Sequence, residues 1–485
     1  MTNIRNNFPD FKSFTQLTIM CFFMFGFGRV FPPFAQITPE GMNVLGCFIG
    51  CIFGCVFMDM AVTSLLGLIS LSLSGATTAS ELFANGFGSD TAMVMIAALF
   101  VSAAIGELNV DQYILSKLMG LRIAANRPWI KIYLLFLSCF LVSALAISLA
   151  AVIMFIPIVN KMLEQSNIKD KAKLYAVMYC GLAISSALGS ISLPFKPLFL
   201  ICTGLLHSAG YTFNIGHYAA VVPFMIILLA IYTLLFKLLH IDTGILHLLN
   251  ADTITGADKS TKLSLRQIIF LNLLGLWILL MLIPDFLPEA FALTIFLRTL
   301  GSGGLALTIF AAMLIIKVRH EPIIDLQKIA GKYQWNILFL LAFFLPLANL
   351  LTADICGIKA SMAAFVAPLV NGMSSYALIF ALTFLAAVCT NFLSNTACAT
   401  IFTSLAIMMS DVLVGINMYV IMVLILICCN IACATPAASA PAAVLFAQRG
   451  KVTFRHMVLY GIIGVTTIWF AVCILGIPYL NLSLR

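Results

Sequence analysis

The stretch TNFLSNTACATIF, Thr390 to Phe402, sets Thr390, Asn391, Ser394, Asn395 and Thr396 inside a strongly apolar region. Uncharged amides and hydroxyls are costly in hydrocarbon unless they find partners. Such a cluster either lines a place for an ion or small anion, or hydrogen-bonds one helix to another. The rest of the chain has to decide between these readings.

The 485 residues are 62% hydrophobic and 9% charged, with mean hydropathy +1.11. That leaves too little polar surface for a soluble globule. Apolar windows of about 20 residues, the length of a helical crossing, recur from Phe14 to Leu480. The expected fold class is an all-α polytopic membrane protein with about eleven crossings and several shorter or interrupted segments. The formal charge of +8 sits in short clusters between apolar runs, such as Lys117/Arg122/Arg127/Lys131 and Lys317/Arg319/Lys328/Lys332. This is the excess that cytoplasmic loops carry, so the expected partner is the lipid bilayer and not nucleic acid. Arg5 and Lys12 precede the first span, and no small-residue cleavage pattern follows it. We therefore expect no removable signal peptide, a cytoplasmic N-terminus and a multi-pass chain in the cell (inner) membrane.

Cys47, Cys51 and Cys55 recur every four residues, interleaved with Gly46, Gly50 and Gly54. Without a His or carboxylate beside them they read as a helix-packing stripe, not a thiolate metal site. The six histidines are scattered, and HExxH, GxSxG and phosphate-loop patterns do not occur, so no enzyme is expected.

The longest polar insert divides the chain into a first repeat with the N-terminal spans (1–239), a polar connecting loop (240–267) and a second repeat (268–485). The halves share an order of signals. FLVSALAISLAAVIMFIPIV, from Phe140, is followed by GLAISSALGSISLPFKPLFL, from Gly181; VCTNFLSNTACATIFTSLAI, from Val388, is followed by CCNIACATPAASAPAAVLFA, from Cys428. Ser148 aligns with Ser394, and Pro194 with Pro436. Proline removes a backbone donor and interrupts the helix, which at membrane depth is tolerated where the freed groups face protein or a polar cavity. Matching breaks in both halves point to a midplane site built of helix ends, whose N-termini suit a carboxylate or another oxyanion.

At these residues the chain resembles the divalent anion:sodium symporter family, the di- and tricarboxylate and sulfate carriers of the ion-transporter superfamily. The SNT of Ser394 to Thr396 is similar to that family's second Ser-Asn-Thr signature, and the ATP of Ala434 to Pro436 to its small-Thr-Pro break. The flanking segments ITPEGMNVLGCFIGCIFGCVF, GFGSDTAMVMIAALFVSAAI and WNILFLLAFFLPLANLL agree, so the resemblance covers nearly the whole chain. It implies two inverted repeats with helical hairpins and broken helices, and a homodimer whose transport part moves like an elevator against a fixed scaffold. The implied function is secondary active transport of small divalent organic anions, dicarboxylates or citrate, by sodium symport or anion exchange. The resemblance puts sodium among Thr390, the Leu393 carbonyl, Asn395 and the Ala434 carbonyl. It puts the anion against Asn395, Thr396, Thr435 and Pro436. Ser148 and Pro194 are the matching first-half candidates. Neutral oxygens suit sodium, a hard cation, and leave no permanent charge buried in the empty carrier.

The first half departs from this pattern. It reads Ser148, Leu149, Ala150 in place of a Ser-Asn-Thr, with Ala144 where a hydroxyl would help to ligate sodium, which puts a first sodium site in doubt. Further on, SLPFKPL places Lys196 between Pro194 and Pro197. Such a lysine either snorkels to an aqueous mouth or is a functional intramembrane cation. In the second case its ammonium substitutes for sodium beside the anion, fewer sodium ions are needed, and exchange gains over symport. Arg29, Asp59, Arg298 and Asp354 fall near the ends of apolar runs and read as interfacial or structurally paired. The alternatives are an inorganic oxyanion carrier, a cation/proton exchanger of the same superfamily, or a membrane structural or assembly protein. The exchanger is disfavoured because the SNT region holds no titratable carboxylate.

Overall fold

The computed structural model describes residues 11–108, 110, 113, 128–145, 147–164, 171–212, 218, 220–238, 263–369, 373–413, 415–448 and 450–483. The connecting loop expected at 240–267 lies outside the described residues as far as 262, and so do Arg5, Lys117, Arg122 and Arg127.

The described chain is almost entirely helical. It opens with α1 (Phe11–Cys21), α2 (Pro39–Phe57), α3 (Met60–Ser72), α4 (Ala79–Asn85) and α5 (Asp90–Glu107). Then come α6 (Pro128–Leu145), α7 (Ser148–Glu164), α8 (Lys171–Gly189), α9 (Pro197–Ser208) and α10 (Val221–Leu238). Beyond the connector run α11 (Leu265–Phe286), α12 (Ala292–Ile315), α13 (Trp335–Thr352), α14 (Ile358–Leu369) and α15 (Ser375–Cys389). The last are α16 (Asn395–Met408), α17 (Met418–Asn430), α18 (Ala440–Phe446), α19 (Phe454–Ala471) and α20 (Ile477–Ser483). A two-stranded antiparallel ribbon, β1 (Lys317–Val318) with β2 (Glu321–Pro322), follows α12.

Helix starts follow local chemistry. Thr38 accepts from the Gly41 amide at 3.0 Å with Pro39 in the first turn of α2, and Asp59 accepts from the Ala61 and Val62 amides at the start of α3. Asp59 is thus a helix cap at the end of an apolar run. Arg298 pairs with Glu289 at 2.8 Å, both largely exposed, and Asp354 opens a short turn between α13 and α14.

Seven described helices are long and apolar enough for a full crossing, and eight shorter apolar helices of 10–17 residues accompany them. Full-length and shorter apolar helices thus occur together among the described residues, as expected of a polytopic chain with interrupted segments. The two most enclosed helices, α8 and α17, are the ones that break. α17 is buried along its whole length and α8 from Leu174 onward, so their interrupted backbones are wrapped in protein. By contrast α11 and α12 leave Leu279, Ile295, Phe296 and Ile315 exposed, the pattern of helices that face lipid.

The packing is reciprocal between the parts before and after the connector. α3 lies on α13 while α12 lies on α5, and α9 lies on α16 while α7 lies on α18. The cysteine–glycine stripe of α2 forms a close contact within the first part. A methyl group at Gly54 would come within 2.6 Å of Met20 and Thr63, while Cys47, Cys51 and Cys55 are buried along the same helix.

Candidate functional site

Four interruptions converge. α6 stops at Leu145 and α7 starts at Ser148; α15 stops at Cys389 and α16 starts at Asn395. The turn from Ser190 to Lys196 separates α8 from α9, and the turn from Ile431 to Ser439 separates α17 from α18. Between them lies a cavity of about 710 Å³, within the ~300–1,000 Å³ usual for small-molecule sites. Its polar lining comes from Ser102, Ser148, Ser186, Ser190 and Lys196 of the first half and from Ser394, Asn395, Thr396, Asn430 and Ser439 of the second. Lys332 and Gln334, just ahead of α13, also line it.

The second-half wall is held by a network of amides. Asn395 Nδ2 donates to Asn430 Oδ1 at 3.1 Å and to the Asn430 carbonyl at 3.3 Å. The Thr390 hydroxyl lies 3.0 Å from Asn395 Oδ1 and donates to the Cys429 carbonyl. Asn430 in turn donates to Ser190 Oγ at 2.8 Å and to the Ala187 carbonyl, tying the second broken helix to the first. Asn391 donates to the Ala387 carbonyl at 2.7 Å and accepts from the Ala434 amide at 2.8 Å. The network fixes the rotamer of Asn395 before any ligand arrives.

Across the cavity, Ser148 Oγ approaches Ser186 Oγ at 3.4 Å, and Lys196 Nζ donates to the Ser143 carbonyl at 3.0 Å. Lys196 precedes the first turn of α9, with Pro197 in the first helical position. Only 4% of it is exposed, so its side chain is enclosed by protein beside the cavity.

Of the residues singled out from sequence, Ser148, Lys196, Leu393, Asn395, Thr396 and Pro436 line this cavity. Thr390, Ala434, Thr435 and Pro194 stand behind its wall. Thr390 and Pro194 are buried, and the Thr435 hydroxyl is turned to the Asn391 carbonyl. Proline breaks thus shape the site at both ends: Pro197 on the first-half side and Pro436 and Pro441 on the other line the cavity, whereas Pro194 does not. Sequence reasoning passed over Asn430, Ser186 and Lys332. For Asn430 there was a signal: it is an amide directly before a proline break at the end of an apolar run.

Residues 48–413 match the family model described as citrate transporter. The chain belongs to the citrate transporter family. The match takes in both hairpin breaks and the first broken helix, while Asn430, Thr435 and Pro436 lie beyond its end. It agrees with the resemblance carried by the Ser-Asn-Thr and Ala-Thr-Pro motifs, and makes this a multi-pass secondary transporter of carboxylate-type anions. No curated protein matches the chain.

Proposed function

We propose that the transporter carries citrate and related small di- and tricarboxylates, and that the cavity between the four breaks is where they bind. One observation carries this reading: Lys196 and Lys332 line the cavity, and among the described residues no Asp or Glu does. A cavity of that charge attracts anions. A cation/proton exchanger would need carboxylates where the lysines stand. Hydroxyls and amides of Ser148, Ser394, Asn395 and Thr396 offer neutral hydrogen bonds for a multidentate carboxylate, and the N-terminus of α16 adds backbone donors and a favourable dipole.

Sodium belongs to this reading as co-transported cargo. Thr390 Oγ1 and Asn395 Oδ1, 3.0 Å apart, together with the Leu393 and Ala434 carbonyls, are the oxygens that would take it. The reciprocal packing of the two parts of the chain is the arrangement expected of inverted repeats that rock or slide about a midplane site. An elevator-like movement within a homodimer in the cell membrane is the working form of this reading.

Purified protein in proteoliposomes should accumulate radiolabelled citrate or succinate, with an imposed sodium gradient as the variable. Failure to bind or move any di- or tricarboxylate under either gradient would reject the function.

A further inference from the structure

We propose that a stripe of hydroxyls on α16, together with Asn349 on α13, is the wall of a second passage, leading from the cavity to the membrane face opposite its mouth, and that close packing at Gly204 holds this passage shut in the present conformation. The inference adds the residues of the far exit to the carboxylate reading above, and its test is read separately from uptake.

The mouth of the cavity is marked by Ser102, near the end of α5, and by Lys332 and Gln334, just ahead of α13. The Glu107–Lys332 ion pair joins these two ends. α13 runs away from them, so Asn349 stands about 20 Å further along in a hydrocarbon layer about 30 Å thick. α14 begins past the end of α13, and Lys359 in its first turn pairs at 3.1 Å with Asp411, just beyond α16. α16 therefore leads from the cavity, which its Asn395 and Thr396 line, toward the face opposite the mouth.

Along α16, Thr396, Thr400, Thr403 and Ser404 fall within about 100° of helical arc. Thr396 reaches the cavity, whereas Thr400, Thr403 and Ser404 are buried in a helix that packs on α9 and α13. Thr400 donates to the Thr396 carbonyl at 2.7 Å and Thr403 to Cys202 Sγ at 3.5 Å. Hydroxyls that merely join helices would all be paired in this way. Ser404 Oγ, buried in the far half of α16, has no hydrogen-bond partner among the described residues, and neither has the buried Asn349 Oδ1 in the far half of α13. An unpaired polar atom in the interior is costly. A carrier must also adopt a conformation open to the other face, and there water and the passing anion satisfy the groups that are dry here.

What keeps them dry is α9, which packs on α5, α13 and α16 and is buried from Leu198 to Leu206. At Gly204 the approach is so close that a Cβ would stand 2.6 Å from Leu345 Cδ2. Leu345 lies on α13 one turn before Asn349. Glycine thus permits the seal, and the far side opens where α9 and α13 part.

The experiment places a cysteine at the stripe (Ser404→Cys), on α13 (Asn349→Cys) and at the mouth (Gln334→Cys). Right-side-out and inside-out membrane vesicles are treated with a membrane-impermeant maleimide. Because the chain has 14 cysteines of its own, peptide mass spectrometry identifies the modified position. Position 334 should react in one vesicle orientation, and positions 404 and 349 in the other. Gly204→Ala overpacks the sealed conformation, so it should raise the labelling rate at 404 about 10-fold and lower that at 334. Leu345→Ala loosens the same contact without adding volume and should raise labelling at 404 about 3-fold or more, which keeps the test open if Gly204→Ala does not fold.

The passage is overturned if position 404 reacts from the same face as position 334, or from neither face while 334 reacts. It is equally overturned if neither Gly204→Ala nor Leu345→Ala raises labelling at 404. Citrate uptake by the same vesicles is a separate readout: opposite-sided labelling in a protein that moves no citrate supports the passage and rejects citrate as its cargo.

Discussion

Asn395 and Asn430 meet amide to amide, Nδ2 to Oδ1 at 3.1 Å, at the point where the second hairpin break touches the second broken helix. The same Asn430 reaches across to Ala187 and Ser190 of the first broken helix. One side chain thus holds three of the four interruptions in register. Asn430→Ala removes the side-chain bonds to the Ala187 carbonyl, Ser190 Oγ and the Asn395 amide, while Ser190 Oγ still reaches the Ala187 carbonyl and the residue-430 carbonyl still accepts from Asn395, and should cost about 1–3 kcal/mol at roughly 0.5–1.5 per lost bond. Thermal unfolding in detergent measures this. Asn430→Asp preserves the volume but replaces a donor by a negative charge facing the anion. It should remove citrate uptake even in preparations that elute and unfold like the wild type; normal uptake by Asn430→Asp would show that the anion sits elsewhere.

The unequal halves give a second expectation. Asn395 is locked by contacts to Thr390 and Asn430, whereas the Ser148 hydroxyl makes a long approach of 3.4 Å to Ser186. Removing a positioned amide that bonds the anion should lower the uptake rate per citrate concentration by about 10- to 100-fold in Asn395→Ala. Ser148→Ala should change it by less than about 3-fold. Initial-rate uptake over a range of citrate concentrations separates the two. Equal losses would mean that both hairpin tips share the anion evenly.

Much of this site was legible in the chain before its coordinates. Polar residues in an apolar run and prolines at matched positions identify the breaks, because hydrocarbon makes both costly unless they face a cavity or a partner. Lys196 was conspicuous for the same reason. Asn430 was not, since a single amide ending an apolar helix looks the same whether it glues helices or braces a site. Lys332 and Ser186 reach the cavity only because distant helices pack together, and no local spacing encodes that. Thr435, which its Ala-Thr-Pro motif puts against the anion, donates its hydroxyl to the Asn391 carbonyl, a contact that no local spacing encodes.

Lys332 ties its ammonium to Glu107 at 2.6 Å, with about half of the lysine side chain exposed. An exposed pair of this kind is screened by water and contributes little, so Glu107→Gln should leave the unfolding temperature almost unchanged. Its electrostatic effect on the anion is a separate matter. Lys332→Glu reverses a charge on the cavity lining and should slow citrate uptake at low salt, with the deficit shrinking as ionic strength rises. A deficit independent of salt would point to a local contact and not to attraction at a distance.

Asp90 and Gly301 test a part of the fold away from the cavity. Within α12, Gly301 has φ 72°, ψ 167°, a conformation confined almost wholly to glycine, and the helix restarts beyond it. Asp90 caps the restart: its Oδ1 accepts from the Gly303 amide at 2.7 Å, and its Oδ2 from the Ser302 hydroxyl. Asp90→Ala should cost about 0.5–2 kcal/mol, as the loss of a helix cap does. Asp90→Asn, which keeps one acceptor oxygen, should cost less. Gly301→Ala forces a side chain into the same strained backbone and should cost about 1–3 kcal/mol. Because both residues serve one kink, the double variant should lose less than the sum of the two. Neither residue lines the cavity, so citrate half-saturation should stay at the wild-type value in every folded variant. Strictly additive losses in unfolding measurements would show that cap and kink act independently.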